Sequence, residues 1–279
     1  MGDRAAVPGG LQPAGRRGVR ARLSGPAARV MTGDDVPEEV FSGAPTKLTM
    51  GLRPLDLATW LDADPADPQL AMRRELLADR RHEVFGALPG SLGARTQVAQ
   101  AVADHVGAQL PGRDDPLVEA AALVRDDLCV LEQQEGRWLL TAGVVCFPSR
   151  WRLADKLGLD VTAIHDPVPR YRETLGAATD SAMSAIGRMR PRWRVNWTLL
   201  DDPALFQPTA PIGRTHRPGL DSFLRVERQC LVPIEDVIVF SIRTSVLPVA
   251  ELDEAKASAV LASVAGSPDD LAAYRGWDV

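Results

Sequence analysis

RWRVNWTLL, residues 192–200, alternates cleanly. Trp193, Val195, Trp197 and Leu199 fall on one face, and Arg194, Asn196 and Thr198 on the other. A period of two marks a half-buried strand. Two tryptophans on one face belong first of all to a core. On the polar face Asn196 is able to donate to a substrate, although a solvated sheet face also accounts for it.

The pattern extends in both directions. Phe223–Cys230 and Asp236–Leu247 read as two further strands joined by Leu231-Val-Pro-Ile-Glu. Val237–Phe240 is a continuous apolar run, which suits a central strand. Upstream, 128–133 and 137–147 form a hairpin across Gln134-Glu135-Gly136. Five strands therefore emerge: 128–133, 137–147, 192–200, 223–230 and 237–247. Their turns and alternation predict an α+β chain with an antiparallel sheet packed by helices on one side.

Helices are expected around this sheet. One starts at Asp67-Pro68, an N-cap followed by proline in the first turn, and runs to about Phe85. Others span 94–106, 116–124 and 173–189, with terminal helices over 253–264 and 269–274. Trp277 is placed to pin the end of the chain. The 201–220 segment, with Pro203, Pro208, Pro211 and Pro218, reads as a long irregular loop. Such loops in a compact domain are commonly functional.

The 279 residues are ample for a buried core. A net charge of −5 offers nothing to nucleic acid in bulk. No apolar run reaches membrane-spanning length. The three cysteines, 129, 146 and 230, lie far apart, which fits neither a disulfide framework nor a zinc or iron–sulfur spacing and suggests a cytoplasmic protein. Residues 1–33 hold six arginines against Asp3 and read as a disordered leader or as sequence upstream of a start at Met31. The expected division is a leader over 1–46 and a single domain over 47–279. Asp126 and Asp127, adjacent and without a third carboxylate, suit ion pairs better than a metal.

The chemistry concentrates in CFPSRWRLADKLGLDVTAIHDPVPRY, residues 146–171. Ser149 is placed to cap a short helix from about Trp151 to Gly158. Pro167 and Pro169 should hold 164–169 extended, with His165 presented at its start. Of the four histidines, His165 alone sits in a stiff segment flanked by apolar residues. His216 lies in the proline-rich loop, His105 beside a helix stripe, and His82 among charges.

This stretch resembles the signature of the haem-dependent oxidative N-demethylase family: CFPS-x-W at 146–151, KLG at 156–158 and IH-x-PVP at 164–169. RDDLCVL at 125–131 and LRVERQCLVPIEDVIVFSIRT at 224–244 match further blocks. The likeness spans about residues 47–248. It implies a PAS-like five-stranded antiparallel sheet with flanking helices and helical N- and C-terminal extensions. It also implies haem b as cofactor, with His165 as the iron ligand. Arg150, Arg152, Arg228 and Arg243 become candidates for the haem propionates, since a guanidinium fork suits a carboxylate.

The block LR-x-E-x-Q falls on Leu224, Arg225, Glu227 and Gln229. Glu227 is thus a catalytic and substrate-binding candidate, with Arg225 and Asn196 beside it; His216 is the other catalytic candidate. The alternative for Arg225 and Glu227 is an ion pair that only stabilises the sheet.

The resemblance implies oxidation of a small amine-like substrate by dioxygen. Electrons would come from a separate reductase or electron-transfer protein, because the chain carries no flavin, iron–sulfur or dinucleotide motif. Residues 229–236, QCLVPIED, depart from the basic QTLRRLPRSG-like form of relatives, which leaves N-demethylation and N-oxygenation both open. Nucleic acid and membrane are not expected partners; a homo-oligomer is left open. The competing reading is a non-catalytic haem-binding sensor or carrier.

Overall fold

A computed structural model of the chain describes residues 32–187, 190–210 and 215–279. The arginine-rich first 31 residues, the end of the helix expected to Met189, and Pro211 in the long loop lie outside the described residues.

The elements run in the order β1 (Arg53–Pro54), α1 (Pro68–Asp79), α2 (Arg81–Val84), β2 (Phe85–Ala87), α3 (Leu92–Val106), α4 (Pro116–Ala121), β3 (Asp127–Gln134), β4 (Arg137–Val144), α5 (Val161–Ile164), α6 (Tyr171–Ile186), β5 (Arg192–Leu200), β6 (Phe223–Ile234), β7 (Val237–Pro248), α7 (Glu254–Ala265) and α8 (Asp269–Arg275). The fold is α+β. Its sheet is antiparallel and has seven strands rather than five, in the order β1-β5-β6-β7-β3-β4-β2. All five expected strands are present. The two additions are edge strands of two and three residues, too short to show any alternation.

Each face of the sheet packs against its own layer. On one face Val130, Val144, Cys230 and Val239 meet α1, α3 and α4 through Leu77, Val98, Val102 and Leu117. Further along the same face Leu224, Val226 and Leu199 meet α7 and Trp277. On the other face Cys129, Leu131, Leu140, Leu231 and Ile238 pack against Leu153, Val161, Ile164, Met183 and Ile186. Packing begins upstream of Lys47, since Val36 and Val40 are buried beside α7. Trp277 closes the far end: it is buried, and its Nε1 donates to the Leu199 carbonyl at 3.0 Å. Arg275 Nη1 donates to the Trp197 carbonyl at 3.2 Å. Together these two side chains cover carbonyls of β5 that would otherwise template pairing with another chain.

Several local expectations are corrected. The helix beginning at Asp67 stops at Asp79, because Arg80 leaves the helical region (φ −128, ψ 30) and the chain turns to reach β4 as β2. The Trp151–Gly158 helix shrinks to a single 3-10 turn, Leu153–Asp155. Ser149 caps nothing and bridges Gln207 instead. Residues 165–170 form successive turns rather than an extended run, with the Val168 amide bonded to the His165 carbonyl at 2.8 Å. Strand β4 ends at Val144, short of Phe147. The reason is Asp127, whose carboxylate takes the Cys146 and Phe147 amides at 2.8 and 3.1 Å and bends the chain away from the ladder.

Asp127 is itself held by Arg73 at 2.7 Å, with both side chains at most 1% exposed. Removing one partner of such a pair strands a buried charge, at a cost of about 3–5 kcal/mol. Arg73→Met should lower unfolding free energy by roughly that amount, read from urea denaturation; a loss under about 1 kcal/mol would show that the pair does not hold this turn.

Candidate functional site

The site is built where the 146–171 stretch crosses the polar face of β5 and β6. Asp160 caps α5 by accepting the Ala163 amide, and one helical turn later the chain reaches His165, the C-cap residue. Lys156 Nζ donates to the Ile164 carbonyl at 2.6 Å and closes the helix end. Gly158 adopts φ +81, a value that favours glycine, and its amide bonds the Leu140 carbonyl at 2.8 Å. The KLG segment thus clips the turn onto β4.

The His165 ring is fixed on two sides. Nδ1 lies 2.7 Å from the Val161 carbonyl. A carbonyl only accepts, so Nδ1 carries the proton and, in the neutral ring, Nε2 keeps its lone pair. The ring also stacks on Tyr171, centroids 4.4 Å apart and planes 10° from parallel. Tyr171 is in turn held by its hydroxyl on Thr179 Oγ1 at 2.9 Å. Burial pushes the His165 pKa below its ordinary value, outweighing the bond to Val161, and the Arg194 and Lys156 charges push the same way.

Beside this lies the polar face of the sheet. Arg194 pairs in register with Gln229, and Asn196 with Glu227. Glu227 is buried and its carboxylate is well supplied: Arg225 Nε donates at 3.2 Å, Asn196 Nδ2 at 3.3 Å and Gln229 Nε2 at 3.0 Å. Arg225 has no face left for a substrate. It is fully buried, and besides Glu227 it donates to the Phe147 carbonyl, to the Leu205 carbonyl at 3.2 Å and to Thr244 Oγ1 at 3.4 Å. In this structure Arg225 clamps β6 to the Phe147 turn and to Leu205, with Glu227 as its ion-pair partner.

The arginines expected to meet propionates are dispersed. Arg152 forms an exposed pair with Asp155, one turn away. Arg228 and Arg243 lie opposite each other in register, on the face away from Glu227, and both donate to the Trp60 carbonyl. Arg228 also lies over the Trp193 ring and Arg243 bonds Asp126. These two are structural ties between the sheet and the α1 layer.

Arg150 is bound to Asp201 at 2.7 Å and opens onto a cavity of about 270 Å³ with Asp201, Phe206 and Gln207. His216 lies near the same pair: burial holds its pKa down, against the opposing pull of Asp201. The Arg150–Asp201–His216 group is thus a neighbouring cluster, while His165, Asn196 and Glu227 belong to the α5–α6 side of the sheet.

Two residues escaped the sequence reading. Arg194 Nε is buried and has no hydrogen-bond partner among the described residues. Arg275, from the last helix, carries its charge close to Arg194 and Glu227, and burial pulls its pKa down to about 10. Strand alternation already put Arg194 on the polar face; only the register shows the neutral Gln229 beside it.

A family model described as haem-dependent oxidative N-demethylase, alpha subunit-like, matches residues 103–279. The chain belongs to this family. Its description ties the family to haem and to oxidative chemistry. The residues fit such a cofactor. Among the described residues no cluster of three or more His, Cys, Asp or Glu could hold a metal ion. A haem iron brings the porphyrin nitrogens and asks the protein for one strong ligand, and His165 offers an imidazole whose other nitrogen is anchored on a carbonyl. The unpartnered Arg194 Nε adds a cationic donor for the carboxylates. Among the described residues no helix is long and apolar enough to cross a membrane.

His165 and His216 both have pKa values lowered below 6.5 in the folded chain. Protons therefore favour the unfolded chain once the pH falls below 6.5, and the stabilisation present above that pH is lost as it drops towards the folded pKa values. Haem-free protein should melt at progressively lower temperature below pH 6.5, and His165→Gln should flatten that slope; a slope identical to wild type would show that His165 contributes nothing to it.

Proposed function

We propose that this chain is the haem-binding domain of an enzyme that oxidises a small amine-like substrate with dioxygen, using electrons from a separate reductase or electron-transfer protein. The observation that carries this reading is His165, anchored through Nδ1 and stacked on Tyr171, on the same side of the sheet as the buried carboxylate of Glu227. The cofactor is haem b, and the domain expected over 47–279 acts as one unit together with the packed segment that carries Val36 and Val40. Its five long strands support a PAS-like kinship, with β1 and β2 as short edge additions. Three free, buried cysteines suit a reducing cytoplasm.

When bound, haem supplies the centre at which dioxygen is reduced and the substrate oxidised. The chain's own residues bind and orient. Glu227 Oε2 accepts from both Asn196 and Gln229, which fixes the carboxylate plane on a rigid strand. An amine substrate donates its N–H to this carboxylate, which orients the nitrogen at the reaction centre. For demethylation, dioxygen takes two electrons and two protons; one oxygen leaves as water, and the other leaves with the methyl carbon as formaldehyde. N-oxygenation differs only in that the second oxygen stays on nitrogen. The acidic Glu235-Asp236 turn, where relatives are basic, supports a substrate or partner surface of this chain's own.

Purified protein should show a haem absorption band that His165→Ala abolishes or shifts. A band unchanged by the substitution would move the ligand elsewhere. With a surrogate reductase, an N-methyl amine should yield formaldehyde or an N-oxygenated product. Glu227→Gln should lower turnover about 10²-fold with the haem band intact. Full haem binding without substrate-stimulated oxygen uptake for any amine would favour the non-catalytic carrier instead.

A further inference from the structure

Glu227 is bonded by Arg225 and feels two further guanidinium charges, Arg194 from the polar face of β5 and Arg275 from the edge of that strand, where it bonds the Trp197 carbonyl. Arg225 already bonds that carboxylate and is saturated by backbone carbonyls. Arg275 gives one donor to the Trp197 carbonyl and lies over the Trp277 ring, 4.9 Å from its centroid. Arg194 donates to nothing through its buried Nε. Burial lowers the pKa of both Arg194 and Arg275, and each feels the pull of Glu227. Glu227 is already shared with Arg225, Asn196 and Gln229, so it offsets these two partly buried cations only in part, and a further anion would be favoured there.

Arg194 lies two residues from Asn196 on the same strand face, and that face of the sheet packs against Val161 and Ile164, which lead into His165. A ligand held by His165 and carrying two carboxylates would bring the missing charge to this spot. We propose that Arg194, backed by Arg275, receives the carboxylates of the haem, the role for which Arg150, Arg152, Arg228 and Arg243 were the candidates in the sequence. This rests on the reading of His165 as iron ligand. It also explains why the chain keeps a guanidinium facing the neutral Gln229 in a part-buried layer.

The test needs no turnover. Wild-type protein, Arg194→Leu and Arg194→Lys are titrated with haem and with haem dimethyl ester, whose carboxylates are masked, and the Soret band is followed. Wild type should bind haem about thirtyfold more tightly than the diester, the value of one or two charge-assisted hydrogen bonds. Arg194→Leu should lose most of that preference through weaker haem binding, with diester affinity unchanged, and Arg194→Lys should retain part of it. Wild type that binds diester and haem equally overturns the assignment without any variant. So does an Arg194→Leu protein that keeps the full preference while its Soret band still depends on His165; that result leaves the haem reading standing. A wild-type protein that takes up no haem overturns both.

Discussion

The arrangement depends on the turn at Cys146-Phe147. Two buried side chains hold it from opposite ends. Asp127, opening β3, takes the amides of both residues. Arg225, in the middle of β6, donates to the Phe147 carbonyl and to Leu205. Neither charge is tolerated alone in a dry layer; Arg73 completes one and Glu227 the other. The result ties three distant parts of the sequence, RDDLC, CFPS and LRVERQ, to one point. From that point the chain leaves the sheet, and everything from Ser149 to His165 takes its direction there. The position of His165 is therefore set by polar bonds made nearly twenty residues earlier, with Gly158 and Lys156 fixing the last part of the path.

Much of the sheet was legible because its strands are long and one-sided. RWRVNWTLL announces its faces residue by residue, and register then follows from pairing Trp197 with Val226 and Leu199 with Leu224. The edges were not legible. Phe85-Gly86-Ala87 carries no period, and it joins β4 only because the helix before it breaks at Arg80. The geometry around His165 was misjudged for a different reason. Pro167 and Pro169 do not set the segment alone: Asp160 caps a helical turn before them, and the prolines act only on the turns after His165. An Asp three residues before the Ala163 amide was a signal present in the sequence.

Charge was the least legible quantity. Several arginines could be named as anion partners, but a one-dimensional string does not say which already have partners. In the fold Arg228 and Arg243 are taken up by Trp60, and Arg152 by Asp155. Arg225 is fully occupied and Arg150 holds Asp201. Among the described residues of the polar face of β5 and β6, Arg194 keeps a buried Nε without a hydrogen-bond partner, beside a neutral glutamine in register. Functional charge in a protein interior is recognised by what fails to pair, and pairing is a property of register rather than of composition.

Burial also bears differently on thiol and imidazole as ligands. Cys146 carries the thiol nearest to His165 in the sequence, and thiolate is a strong iron ligand. Removing water disfavours whichever form is charged. For a thiol that is the ligating form, and the Cys146 pKa is pushed up to about 12 and that of Cys230 to about 11, the nearby arginines notwithstanding. For an imidazole the charged form is the one that cannot ligate, so the same desolvation keeps His165 neutral and available. Where a neighbouring carboxylate would have drawn a proton back onto the ring, the fold supplies the Val161 carbonyl, which orients the ring without adding charge. A single physical cause, acting on both Cys146 and His165, thus disfavours the thiolate and favours the neutral imidazole, in keeping with nitrogen as the proposed ligand.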